Sequence, residues 1–225
     1  MAQDPSTTVS LVVTGAMNPR IHHPSWYRAI DAISKDAEQL ALNDSETIVM
    51  EVHAQFKTAE YRIGCEPDKW TIQSSESEAE KQFADLARIV FDDNLHETPV
   101  HAFGLNKAMH VATTCENVGE RLGRGLINAD LGVEDFGASS GTFEVVRERE
   151  DGCRIKFQVQ PSAHDDKFLF GYLNYHYTIP AQKDRHFLLG NLVDKHISED
   201  MAEAEDLIKN LAAALGNPIQ VKNGC

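Results

Sequence analysis

Ten histidines are spread along this 225-residue chain: His22, His23, His53, His96, His101, His110, His164, His176, His186 and His196. Imidazoles are the commonest metal ligands and proton carriers at neutral pH, and His-x-x-x-His on a helix brings two of them to one face. Neither that spacing nor His-x-His falls on a helix that the hydropathy pattern predicts. The sequence therefore predicts no metal centre and no cofactor. What it does contain is a repeated Asn-x-x-x-His, at Asn18 to His22 and at Asn106 to His110, each following a glycine near a β-branched run (Gly15 and Gly104). An amide that orients an imidazole is a general-base arrangement. If the two copies meet, with His176 added from the segment "NYHYT", they form a candidate small-ligand or catalytic site of Asn18, His22, Asn106, His110 and His176. The plainer reading is that asparagine marks the same backbone turn twice, because its side chain bonds local peptide groups.

Nucleophile and phosphate signatures are missing from the sequence. No G-x-S-x-G elbow occurs, and "GASSGT" lacks the strand-turn-helix setting that such a serine needs. "GERLGRG" places its glycines on a predicted helix rather than in a phosphate-cradling loop. Cys115 is expected in the first turn of a helix, where the dipole lowers a thiol pKa; a packed structural thiol is the simpler reading.

The elements that must position these residues follow from periodicity. "TVSLVVTGA" (8–16) reads as a strand ending at Gly15, and "SWYRAIDAISKDAEQL" (25–40) as one helix capped by Ser25. "ETIVMEVHAQFKTA" (46–59) alternates with period two and predicts a half-buried strand. A hairpin turns at Pro67-Asp68, and the capping box Ser75-Glu76-Ser77-Glu78 opens a helix through Asp93. Then the order begins again. A strand runs over 100–112, the capping box Thr113 to Glu116 opens a glycine-weakened helix, and a hairpin turns at Asp151-Gly152. An aromatic strand follows over 167–180, and a helix runs from a Ser198 cap to Gly216, with Pro218 as its stop.

This order predicts an α+β fold: one largely antiparallel sheet made by two tandem β-α-β-β-β-α units, about 9–98 and 99–216, with helices mainly on one face. Residues 217–225 read as a tail that carries Cys225. The layout is similar, in topology alone, to the saddle of the TATA-box-binding protein. None of that family's motifs is present, so the similarity implies a shape and no activity.

Charge narrows the functions. The net charge is −14, from 35 acidic against 21 basic residues. Such a surface repels phosphate backbones and anionic lipid, so direct nucleic-acid binding and membrane association are not expected. "MAQDPSTT" has no basic n-region and no long apolar run follows it, so neither a secretory leader nor a membrane span is predicted. Cys65, Cys115, Cys153 and Cys225 are widely spaced without a C-x-x-C pair, which fits free thiols in the cytoplasm.

The last strand supplies the remaining signal. Phe168, Phe170 and Tyr172 share one parity, while Tyr175 and Tyr177 share the other. With helices on one face only, one of these sets faces solvent or a partner. The leading expectation is a soluble, non-catalytic protein that forms a homodimer or docks another protein through an open sheet face or edge. The alternatives are an enzyme or ligand binder at the junction of the repeats, and an acidic decoy of a nucleic-acid-binding protein with carboxylates in a regular row.

Overall fold

The computed structural model describes residues 6–76, 79–126, 141–180 and 188–216. Its centre is one nine-stranded antiparallel sheet in the order β2-β3-β4-β5-β1-β6-β9-β8-β7. The strands are β1 (Thr7–Gly15), β2 (Ile48–Val49), β3 (Ala54–Lys57), β4 (Arg62–Glu66), β5 (Lys69–Ser74), β6 (Val100–Ala112), β7 (Phe143–Glu148), β8 (Arg154–Pro161) and β9 (Phe168–Thr178). Among the described residues five α-helices accompany them: α1 (Pro24–Ala29), α2 (Lys35–Asn43), α3 (Glu80–Ala87), α4 (Val118–Leu126) and α5 (Leu189–Gly216). With its long antiparallel sheet and separate helices, the chain is an α+β protein.

Register shows where the core lies. Leu11 is opposite Ile72 on β5 and Leu105 on β6, and Leu105 is opposite Tyr175 on β9. All four are fully buried. Because side chains alternate with period two, this row assigns Val9, Val13, Phe103, Leu173, Ile155 and Trp70 to the same buried face. The helices pack there. Gly171 lets α5 approach: a Cβ at that position would stand 2.7 Å from Ile208 of the helix.

Several local expectations give way to tertiary context. The 25–40 segment is two helices, because Asp31 takes a left-handed φ of 55° and the Ser34 hydroxyl accepts the Ala37 amide to start α2. The cap of α1 is His23, whose Nδ1 accepts the Ser25 amide; Ser25 itself lies inside the helix. The 46–59 run folds back on itself, with the Met50 amide donating to the His53 carbonyl. Ala54 and Phe56 of that run are buried in the core and Val49 packs against it, while Met50 and Val52 stay more than half exposed. At α3 the cap position is Ala79, without a side-chain bond, and the helix widens into a π-helical stretch over Arg88–Asn94. Residues 77 and 78 of the expected capping box lie outside the described residues. So do the expected loop after α4, His186, Pro218 and the Cys225 tail.

The largest departure is α5, which starts nine residues before Ser198. Its first turn is capped from another element: both carboxylate oxygens of Asp92 accept amides, from Leu189 at 2.7 Å and Gly190 at 3.0 Å. The apolar stripe of Val193, Ile197, Met201, Ala204 and Ile208 then continues without a break under the sheet. A second tie is Lys107 of β6, 5 % exposed, which reaches Glu80 of α3 at 3.4 Å and Glu205 of α5 at 2.8 Å. Bonds from Lys107 and Lys209 hold the Glu205 carboxyl down at about 2, while burial raises that of Glu80.

Removing the tertiary cap tests its share. Asp92→Ala is expected to cost about 1–2 kcal/mol, since two charge-assisted bonds at a helix N-terminus are lost. Asp92→Asn should cost less. Urea unfolding midpoints measure both, and faster amide exchange in the first turns of α5 localises the loss.

Candidate docking face

The segment after β1 is fastened from three sides. Asn18 caps a 3-10 turn over Pro19–Ile21, its Oδ1 accepting the Arg20 amide at 3.2 Å. His22 is 1 % exposed, and its Nδ1 meets the Tyr27 hydroxyl at 2.7 Å. Trp70 Nε1 donates to that same hydroxyl at 2.7 Å. His22 thus joins α1 to the helix-covered side of the sheet through Tyr27 and Trp70, while the exposed Asn18 shapes only the local turn. Burial pushes the His22 imidazole down to about 4.

Asn106 and His110 sit elsewhere. Both lie inside β6, not at a strand exit, and Gly104 is a mid-strand residue opposite Val12. His110 is at the end of β6 that pairs with the start of β1, its amide donating to the Ser6 carbonyl. His22 shares the Tyr27 hydroxyl with Trp70, which is opposite Val13. The two histidines are therefore on opposite faces and roughly 20 Å apart along the strand, at about 3.3 Å per residue. The structure does not bring the two Asn-x-x-x-His segments together.

Around Asn106 a different group forms, on the face without helices. Asn106 Oδ1 accepts from Tyr172 Oη at 2.8 Å and from Asn174 Nδ2 at 2.5 Å, and its own Nδ2 donates to Ser10 Oγ at 3.1 Å. Asn106 is 6 % exposed although, among the described residues, no helix lies on this face. His110 lies nearby, its Nδ1 2.8 Å from Ser162 Oγ and its ring against those of His164 and Phe170. His176 faces the same side, opposite Gly104 and Arg154. Asn106, His110 and His176 share this face. The sequence pattern missed Ser162, Ser10 and Asn174, because their roles depend on cross-strand register.

The aromatic parity resolves in the same way. Tyr175 and Tyr177 point under α5, where the Tyr177 hydroxyl donates to Asp200 at 2.5 Å and Arg149 bonds both groups. Phe168, Phe170 and Tyr172 are on the open face and half-buried. Cys115 precedes α4: the cap is Asn117, whose Oδ1 accepts the Glu120 amide, so the thiol is not in the first helical turn. That removes the dipole argument for its reactivity.

The composition of the open face is unlike that of the chain. On β5, β1, β6, β9 and β8, the positions facing away from the helices are threonine, serine, asparagine, glutamine, alanine, histidine, aromatic, lysine or arginine, with Val12 and Gly104. None is aspartate or glutamate, although the chain carries 35 acids. Carboxylates flank this strip at Glu66 of β4 and Glu144 of β7, where they pair with Lys69 at 3.1 Å and Lys156 at 2.7 Å. A shallow depression of about 240 Å³ opens beside it, floored by Gly64 and lined by His53, Gln55, Arg62, Lys69 and Thr71. Among the described residues, no group of three or more His, Cys, Asp or Glu side chains is placed to hold a metal ion, and no helix is long and apolar enough to cross a membrane.

This architecture defines an α+β protein built on one open antiparallel sheet, in which five adjoining strands carry no outward carboxylate. Neither the known family models nor the curated proteins contain a match to its sequence.

The buried imidazole makes stability depend on pH. His22 has a folded-state pKa near 4 against about 6.5 when unfolded, so the unfolded chain binds more protons between those values. Its neutral form is fully compatible with the fold above pH 6.5, and stability falls as the pH drops toward 4. About 2 kcal/mol of stability is expected to disappear between pH 7.5 and pH 5 through this one group. His110 and His196, also lowered by burial, act in the same direction. Urea titrations of the wild type and His22→Gln check it: the variant should start less stable at pH 7.5 and lose clearly less than the wild type on acidification.

Proposed function

We propose that this chain is a cytoplasmic binding protein rather than an enzyme, and that it docks a protein partner on the uncovered face of its sheet. One observation carries the reading: the five adjoining strands β5, β1, β6, β9 and β8 present no carboxylate outward in a chain of net charge −14. Surface that merely needs to stay soluble has no reason to sort its acids in this way. Amides, hydroxyls and half-buried aromatic rings are the groups that protein interfaces use for adaptable hydrogen bonding and contact area. The Asn106–Tyr172–Asn174–Ser10 network fixes those groups before a partner arrives.

The chemistry favours an acidic protein surface over a polyphosphate. Lys69 and Lys156 already pair with glutamates, so few cations remain to replace the counterions of a nucleic acid. A partner's carboxylates would meet amide and hydroxyl donors and no opposing acid.

We also read the fold as two copies of one β-α-β-β-β-α unit. Strand order supports this: outward from the central β1–β6 pair, one side runs β5, β4, β3 and the other β9, β8, β7, the same order within each unit once the two-residue β2 at the far edge of the first is set aside. The Asn-x-x-x-His segments are not the equivalent positions in such an arrangement, since one follows β1 and the other lies within β6.

Site-specific photo-crosslinking in cells tests the docking face. A photoreactive residue at Gln158, on the open face, should capture a partner protein, while one at Asp206, on the outer side of α5, should not. Capture from position 206 alone, or capture of nucleic acid from position 158, would overturn the reading.

A further inference from the structure

The edge strand β7 carries a second interaction surface, independent of what docks on the open face. Glu144 to Glu148 are all exposed, with Val145 at 40 % and Val146 at 44 %. Among the described residues, no strand pairs with the outer side of β7. The hairpin shows which peptide groups are free. Arg149 donates its amide to the Cys153 carbonyl, so bonded pairs recur at every second residue, and Arg147, Val145 and Phe143 point their peptide groups at β8. The amides and carbonyls of Glu144, Val146 and Glu148 therefore face outward. A six-residue strand whose outward peptide groups have no strand partner among the described residues, and whose valines are exposed, is a template for another strand.

We propose that β7 pairs antiparallel with β7 of a second copy of this chain, about a two-fold axis at Val145. An antiparallel strand pair related by a two-fold axis keeps both sheets facing the same way, so opposing residues share a face. Among the central registers, that rule leaves three centres to compare. Centring on Glu144 places it against the partner's Glu144, and centring on Val146 places Glu144 against the partner's Glu148; like charges directly opposite are destabilising. Centring on Val145 sets valine against valine, Glu144 against the partner's Val146, and Arg147 against the partner's Phe143. Arg147, already held by Glu203 at 2.5 Å, then lies where a guanidinium can stack on a phenyl ring. This register also makes Val145 a non-hydrogen-bonded pair, so the outward peptide groups of Glu144 and Val146 are the ones that bond across the axis. The two open faces become one continuous surface on the same side of the dimer.

Two substitutions separate this pairing from general stickiness, in a chain with Cys115→Ser and Cys225→Ser. Val146→Pro removes an amide that points outward and leaves the bonds to β8 in place. Sedimentation at 50 μM should show the parent at twice the monomer mass and Val146→Pro at the monomer mass, with an unchanged far-ultraviolet spectrum. A monomeric parent, or a Val146→Pro protein that still dimerises, overturns the proposal. Val145→Cys keeps the valine's place and reports register even if the proline variant fails to fold. Opposed non-hydrogen-bonded Cα atoms lie about 4.5 Å apart, within reach of a disulfide. A copper-phenanthroline oxidant should therefore cross-link Val145→Cys into dimers at least ten times faster than Val146→Cys, whose Cα atoms would be about 8 Å apart. Equal rates, or cross-linked ladders beyond the dimer, overturn the register or the closed two-fold. Loss of partner capture at Gln158 with the dimer intact would count against the open-face reading alone.

Discussion

Everything in this molecule hangs on the antiparallel pairing of β1 with β6. These two strands share a register from Thr7 opposite Met109 to Thr14 opposite Ala102, and each has its remaining neighbours on one side only. Along this seam Val9, Leu11 and Val13 must all point toward the helices. A slip of β1 by one residue against β6 would turn all three into solvent while Phe103 and Leu105 stayed in the core. The seam also sets Lys107 beneath α3 and α5, where its two glutamate partners join both helices to the centre of the sheet. Alternation on two strands thus decides which face is core, where the long helix lies, and which side chains are left on the open face.

The same alternation explains what could be read from the sequence. Val100 to Ala112 was legible from end to end, because a long β-rich run with a buried parity has few other ways to fold. The hairpin at Asp151-Gly152 was legible because Gly152, at a φ of 83°, takes the backbone conformation the turn requires, and Asp151 accepts the Cys153 amide. The start of α5 was not, since its cap comes from Asp92, nearly a hundred residues away in sequence. Local capping rules see Ser198 and stop there. The histidine pattern misled for a related reason: Gly15 ends a strand and Gly104 lies in the middle of one, a difference that letters spaced along a chain do not carry. His22 and His23 are buried or capping groups at a strand exit, and the open-face network appears only when β6 and β9 are laid side by side.

Charge is partitioned as strictly as hydrophobicity. Paired acids gather on the helical layer and at the flanks of the sheet, as with Glu205 beside Lys107 and Lys209, and Asp200 beside Arg149 and Tyr177. Asp200 is 1 % exposed, and burial raises its carboxyl above the ordinary range despite the guanidinium. This cluster fastens the β7–β8 turn to α5, and so holds the last hairpin against the helix.

An uncovered sheet face in water must not collapse onto other sheets, and one that docks a partner as proposed must also present something to recognise. Rows of aliphatic side chains would fail the first, and rows of like charge would fail the second through repulsion. This chain fills the centre with Asn106, Asn174, Ser10 and Tyr172, bonded to one another, so that their polar atoms are satisfied yet oriented. A partner that replaces none of those bonds adds to them, whereas a second sheet pressed flat against the network would bury amides without new partners and incur their desolvation. If the face docks a partner as proposed, the same network would favour one able to offer complementary hydrogen bonds, so a surface with few free charges could still discriminate.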